Sequence, residues 1–276
     1  MDTLIFGDGH LGRAIAGELI ARGQGTPTIR GRPGPAGHDP AGLPAADVVF
    51  EASRGEAVLD NLGAALAAGC RRFVIGTSAW EPIAAEVQAR LERSGASGVA
   101  APNLSLGVAL FGRLVEQATA LFGQLVDVDP YLVEWHRRSK ADRPSGTAKD
   151  LARRMLAIHP TKRRLADPRS GRPPAADELE LAVVRAGSSP GMHLVGFDAP
   201  GETVELRLTA RDRSAYAAGA LAAAAWLMAA PRSPGIHPFD EVVDDRLAGA
   251  GSTASVGAVG AAEQPIPTLA AVAGGA

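Results

Sequence analysis

The feature that most constrains the fold lies at the start of the chain. An apolar run over residues 3–6 ends in Gly7-Asp8-Gly9-His10-Leu11-Gly12, and Leu11, Ile15 and Leu19 then recur on one helical face. A strand that turns through glycines straight into a helix is the first half of a β-α-β unit, whose helix carries the chain back to a parallel neighbour. The glycines permit the tight turn, and the helix start offers N–H groups without partners. Together they suit the pyrophosphate of a dinucleotide, with Gly7, Asp8, Gly9, His10, Leu11 and Gly12 as its contacts.

The rhythm continues beyond the turn. Residues 26–30, 47–52, 72–75 and 99–101 read as short strands. Val58, Leu62 and Leu66 mark one helix, and Ile83, Val87 and Leu91 behind Pro82 mark another. Strands alternating with helices at short spacing predict an α/β domain with a doubly wound, Rossmann-type parallel sheet. After a helix over 108–122 the pattern changes to a strand-like 126–135, a helix over 147–158, and strands over 179–185, 192–198 and 202–209. Val204, Leu206 and Leu208 alternate with Glu205, Arg207 and Thr209, as in an antiparallel strand with one wet face. A second, α+β domain with a mixed open sheet is expected. The helix over 215–228 is expected to return to the first domain. Residues 1–106 and 214–246 then form the dinucleotide-binding domain and 107–213 the second domain. The Ala/Gly-rich stretch 247–276 lacks periodicity and is expected to be a disordered tail.

The cofactor's identity is a question of charge at the end of the second strand. A carboxylate there binds the ribose hydroxyls of NAD, whereas arginine accommodates a 2′-phosphate. The sequence is Thr28-Ile29-Arg30-Gly31-Arg32, with no carboxylate until Asp39. Arg30 and Arg32 therefore point to NADPH, with NADH still possible. Gly76, Thr77 and Ser78 close the fourth predicted strand, where strand ends border the ligand crevice, and small or hydroxyl residues can approach a nicotinamide.

A second cluster lies between residues 134 and 148. His136 titrates near neutrality and can act as a general acid. Lys140 offers a cation to a carboxylate or to developing negative charge. Pro144-Ser145-Gly146-Thr147 then opens a helix, whose first N–H groups form an anion cradle. An acid, a cation and a cradle in one segment suggest a small carboxylate substrate.

Composition narrows the partners. A net charge of −2 over 276 residues gives no reason to expect nucleic acid or an anionic membrane surface. No apolar run reaches the roughly 20 residues of a spanning helix, and no basic and apolar leader precedes the first strand. A soluble, cytoplasmic protein is expected. The single Cys70 fits a reducing compartment and reads as a buried structural thiol. The six histidines lack ligand spacing, so no metal is expected.

The segment from Glu134 to Ala148 resembles the Glu-x-His-His-x-x-Lys-x-Asp-Ala-Pro-Ser-Gly-Thr-Ala signature of the dihydrodipicolinate reductases, also called 4-hydroxy-tetrahydrodipicolinate reductases. The resemblance extends through residues 7–12, Gly76-Thr77, 101–107, 184–187, 191–193 and 213–220, and through Pro234-Gly235 with Phe239-Asp240, covering about residues 1 to 246. It implies reduction of a cyclic unsaturated imine dicarboxylate with NADH or NADPH in lysine and diaminopimelate synthesis. It further implies His136 as proton donor, Lys140 as the cationic substrate residue, and the Gly146-Thr147 backbone with the Thr147 hydroxyl as carboxylate site. Asn103 and Leu104 would lie near the nicotinamide, with Arg213 approaching from the second domain, and the assembly would be a homotetramer built through the second domain's sheet. The chain departs from the signature at Trp135, Arg137 and Arg143. Arg137 stands where the family has a second His; it can grip a carboxylate but cannot give up a proton near neutrality. Trp135 could fill space for a differently shaped substrate. A diverged relative acting on another cyclic imine or amino acid, or a non-catalytic dinucleotide sensor, are the alternatives.

Overall fold

The structure, a computed structural model, describes residues 1–31, 38–101 and 103–253. Arg32, Pro102 and the predicted tail beyond residue 253 lie outside the described residues. The first half is strand β1 (Thr3–Phe6), helix α1 (His10–Ala21), β2 (Thr28–Arg30), β3 (Val48–Glu51), α2 (Val58–Ala67), β4 (Arg72–Ile75), α3 (Ala84–Arg93) and β5 (Ser97–Ala100). Then come α4 (Leu106–Phe122), β6 (Asp129–His136), α5 (Gly146–Ile158), β7 (Arg164–Leu165), β8 (Glu178–Arg185), β9 (Met192–Ala199) and β10 (Glu202–Thr209). The chain closes with α6 (Ser214–Ala229), β11 (Gly235–Pro238) and α7 (Phe239–Thr253).

The first sheet has the order β11-β5-β4-β3-β1-β2, and every pairing is parallel. Its strands are near-continuous apolar runs because both faces are covered. Ile5, Phe50, Val74 and Val99 point to one layer and meet Ile15 and Leu19 of α1 together with α6 and α7. Leu4, Phe6, Val49, Phe73 and Ile75 point to the other and meet Val58 and Leu62 of α2 and Val87 and Leu91 of α3. Cys70 joins that second layer as a fully buried free thiol. From β1 the chain winds one way to β2 and the other way to β3, so a crevice opens above their carboxyl ends.

The second sheet has the order β10-β9-β6-β8-β7 and is mixed. Strand β9 is antiparallel to both β10 and β6, while β6, β8 and β7 run parallel. One face carries Leu132, Leu179, Val195 and Phe197 against Phe111 and Val115 of α4 and Leu151 and Met155 of α5. The other face has no helix over it among the described residues, and it exposes Trp135 and Val184, which are partners in the β6/β8 register.

Three elements differ from expectation. Strand β11 was not anticipated, because Gly-Ile-His-Pro has a single aliphatic residue; it adds to the sheet through its backbone register with Ser97–Ala100. Strand β7 is two residues long, too short for any periodicity. Helix α7 continues to Thr253, past the Leu247 boundary drawn from composition. Smaller shifts occur at ends: β6 begins at Asp129, leaving Val126 exposed before it.

Candidate active site

The glycine turn is shaped by close backbone approaches. Gly7 has φ +105°, and a Cβ there would strike the Ala52 carbonyl, while one on Gly12 would strike the Gly7 carbonyl. These two residues must be glycine for the loop to lie against β3 and for α1 to begin where it does. Gly9 differs: a Cβ on it would meet nothing. Gly9 is the N-cap of α1 with no side-chain cap bond, so the first N–H groups face open space. A sterically free N-terminus above a switch point is what a pyrophosphate needs, so these residues fit a dinucleotide.

Around this turn the cleft brings most of the expected residues together. Leu11, Gly76, Ser78, Asn103, Leu104, His136, Arg137, Lys140, Ser145, Gly146, Thr147 and Arg213 line one open space of about 290 Å³ between the two sheets. That is the lower end of the size of small-ligand sites. Gly76 lets the Leu11 and Leu104 side chains close over it, since a Cβ would stand 2.9 Å from a Leu11 methyl and 3.3 Å from one of Leu104 and would make their tips shift. Thr77 lies apart from the lining: it is buried, and its hydroxyl turns inward to the Glu51 carbonyl at 3.3 Å. Asp8 and His10 stay exposed on the glycine loop. Arg30 points away from it, donating from Nη2 to the Gly42 carbonyl at 2.8 Å.

On the cleft's other wall, strand alternation places Glu134 and His136 on the covered face of β6. Glu134 is fully buried. Its carboxylate accepts from the Ser145 N–H at 3.0 Å and from Arg185 Nη2 at 2.7 Å, and lies 3.5 Å from His136 Nε2. Burial alone would raise this carboxyl's pKa, but the bonds from Ser145 and Arg185 outweigh it and hold the group below its ordinary value. Arg185 also donates to the Asp142 carbonyl at 2.5 Å, tying the loop before α5 to β8.

The His136 ring is fixed by its Nδ1, 3.1 Å from the Pro190 carbonyl, which makes Nδ1 the protonated nitrogen of the neutral ring. Nε2 is buried and makes no hydrogen bond among the described residues. Burial lowers the His136 pKa, Glu134 opposes that, and the nearby Lys140 charge adds to it. Behind it His193, paired with Glu134 in the β6/β9 register, meets the ring edge-on with centroids 5.3 Å apart. Burial, followed by the His136 charge, pushes His193 down to about 4.

The donor atoms of Glu134, His136 and His193 lie within 4.8 Å of one another, a grouping that scattered sequence positions did not reveal. The Arg185 guanidinium already neutralises the carboxylate at 2.7 Å, so the set is a poor fit for a cation.

Ser145 caps α5: its Oγ accepts from the Ala148 N–H at 3.1 Å. Its own N–H goes to Glu134, which leaves the Gly146 and Thr147 N–H groups at the helix start facing the cleft. Asn103 donates to Thr147 Oγ1 at 3.2 Å and accepts from the Ser105 N–H, so it couples the starts of α4 and α5. Lys140 Nζ is 2.7 Å from Asp142. Arg137 has no ion-pair partner among the described residues; its Nε donates to Ser139 Oγ at 3.2 Å. Trp135 is placed otherwise than the sequence suggested. It projects from the opposite face of β6 and donates from Nε1 to the Ala186 carbonyl, so it fills no space in the cleft.

One polar group was missed. Glu51, buried at the end of β3, accepts from Asn61 at 2.8 Å and from the Ser53 N–H at 2.8 Å and hydroxyl, and it lies beside the Thr77 hydroxyl. Burial raises its pKa against those hydrogen bonds. An acid closing the run Val-Val-Phe-Glu was the available signal.

Comparison with known proteins bears on this arrangement. The family model for the C-terminal part of dihydrodipicolinate reductase matches residues 107–243. The 4-hydroxy-tetrahydrodipicolinate reductase of Methanoregula boonei is 34% identical over 197 residues, covering 71% of this chain and 74% of the relative. That of Halorhodospira halophila is 34% identical over 233 residues, covering 82% and 85%. The chain belongs to the dihydrodipicolinate reductase family. A solved structure, dipicolinate-bound dihydrodipicolinate reductase from Paenisporosarcina sp. TG-14, shares its fold with a TM-score of 0.63 at 18% identity, over 86% of this chain and 97% of that one. Dihydrodipicolinate reductases are oxidoreductases, and the family implies a pyridine nucleotide as cofactor.

Proposed function

We propose that this protein reduces 4-hydroxy-tetrahydrodipicolinate, a cyclic imine dicarboxylate that loses its 4-hydroxyl as water to give the unsaturated ring that takes the hydride and the proton, to tetrahydrodipicolinate in lysine and diaminopimelate synthesis. The observation that carries this reading is the meeting, in one cleft, of Leu11 of the glycine turn with His136, Lys140 and the open start of α5. Residues 1–106 and 214–246 are assigned to the dinucleotide, and 107–213 to the substrate. Reduced nicotinamide, when bound, supplies the hydride.

The chain's own groups do the rest. The Gly146 and Thr147 N–H groups and the Thr147 hydroxyl take one substrate carboxylate, helped by the partial positive charge of the α5 start. Lys140 and Arg137, which has no ion-pair partner among the described residues, take the other, and the guanidinium suits bidentate contact. His136 holds the proton for the ring carbon. A dianion in the cleft favours its imidazolium against the burial that disfavours it. Glu134 keeps that proton at Nε2 until the imidazole exchanges the carboxylate for the substrate.

The test generates substrate in situ from pyruvate and aspartate semialdehyde with the preceding synthase, and follows oxidation of NADPH and, separately, NADH. Fast saturable oxidation is expected. His136→Ala should cut turnover by at least about a hundredfold, the usual worth of a general acid, while cofactor binding holds. Unchanged turnover in that variant would remove His136 from the acid role. Arg137 in place of a second His favours one alternative, reduction of another cyclic imine. Tight nucleotide binding without oxidation, followed by turnover of a different imine from a panel, would identify it. The exposed Trp135 and Val184 face is assigned as the interface of a homotetramer.

A further inference from the structure

The glycine turn carries a carboxylate at a place usually supplied by another strand. Asp8 follows Gly7 and is exposed, and neither a hydrogen bond nor an ion pair holds it among the described residues. Its carboxylate carbon and one oxygen lie 3.7 Å from where a Cβ on Gly31 would stand. Gly31 is the residue immediately after β2, and the Gly7 N–H bonds the Arg30 carbonyl at 2.8 Å, so turn and strand end are locked side by side.

The end of the second strand of a doubly wound sheet is where the adenosine ribose is read. A carboxylate there accepts from the ribose hydroxyls, and an arginine there welcomes a 2′-phosphate. Among the described residues the strand end offers neither in the usual way. Arg30 is turned to the Gly42 carbonyl, and Gly31 has no side chain. The vacant volume beside Gly31 is taken by Asp8, reaching across from the turn.

We propose that Asp8 reads the adenosine ribose in place of a β2 carboxylate and turns the enzyme toward NADH and against NADPH. This rests on the dinucleotide reading above, and it reverses the expectation drawn from Arg30 and Arg32. Two effects act together. The carboxylate gains hydrogen bonds from ribose hydroxyls when no 2′-phosphate is present. It repels that phosphate, which carries nearly two negative charges at neutral pH.

The experiment is a binding titration, followed by nicotinamide fluorescence, of NADH and NADPH against the wild-type protein and against Asp8→Asn and Asp8→Ala. The wild type should bind NADH more tightly. Asp8→Asn removes the charge and keeps the shape, and should shift the ratio of the two dissociation constants toward NADPH by about tenfold or more. Asp8→Ala should do the same while also weakening NADH. Melting curves of the variants should match the wild type, because Asp8 is exposed and makes no bond among the described residues. A ratio that stays put in both variants overturns the role of Asp8, as does a wild type that prefers NADPH. Failure of the wild type to bind either nucleotide would instead overturn the dinucleotide reading itself.

Discussion

His193 shows how a residue can matter to this protein without facing the cleft. It is held neutral in the fold by burial, with a pKa of about 4 against an ordinary 6.5. An unfolded chain takes up a proton near pH 6.5 that the folded chain refuses until about pH 4. The unfolded state therefore binds more protons in that window, and stability must fall as pH drops through it. The whole shift is worth about 3 kcal/mol, present above pH 6.5 and lost by pH 4. Denaturant titrations between these limits should show His193→Gln losing less stability on acidification than the wild type; parallel curves would mean that the imidazole is not the source. The sequence named Glu134 only as the start of a motif and His193 only as part of a resemblance. Nothing in their spacing told that β6 and β9 would set them side by side, because register between strands is decided by the faces they bury.

Elements are where sequence reading fared best and where its gaps have clear causes. Helices α1, α2 and α3 declared themselves by four-residue apolar spacing, and β10 by strict alternation. Strand β11 did not, since parallel addition at a sheet edge rests on backbone bonds that leave little pattern in four residues. The same logic of alternation, applied to β6, would have separated Trp135 from His136, for adjacent residues on a strand point to opposite faces. Helix α5 carries a prediction of its own. Ser145 closes its first turn through Oγ, so Ser145→Ala should cost about 1 kcal/mol of stability, the usual worth of an N-cap. Chemical denaturation measures this directly, and a loss well under half that value would show that the cap bond is not formed in solution.

At the scale of the molecule, two sheets are held together by more than their connecting chain. Arg113 of α4 reaches Asp240 and Asp244 of α7, and Arg154 of α5 reaches Asp150, Glu116 and Asp240. The pairs of Arg113 with Asp240 and Asp244 and of Arg154 with Asp240 cross from the helices of the second sheet to the last helix of the first, while Asp150 and Glu116 hold Arg154 from within α5 and α4. The second sheet's other face is the proposed tetramer surface, with Trp135 over a third exposed beside Val184. Trp135→Asp should shift the protein to smaller species in sedimentation at micromolar concentration. A wild type that sediments as a monomer would sink the assignment, as would an unshifted variant.

One consequence of the topology concerns the order in which the chain is made. Helix α6 and strand β11 follow the second sheet in sequence, yet α6 covers Ile15 and Leu19 of α1, and β11 forms the edge beside β5. A ribosome that has just released β5 must synthesise more than a hundred further residues before α6 emerges, on the order of ten seconds at ordinary rates. Through that interval the nucleotide half stands with one apolar wall bare, while the later half can already close its own core of α4, α5 and β6–β10. The part of the chain that is born first is therefore the part that finishes last.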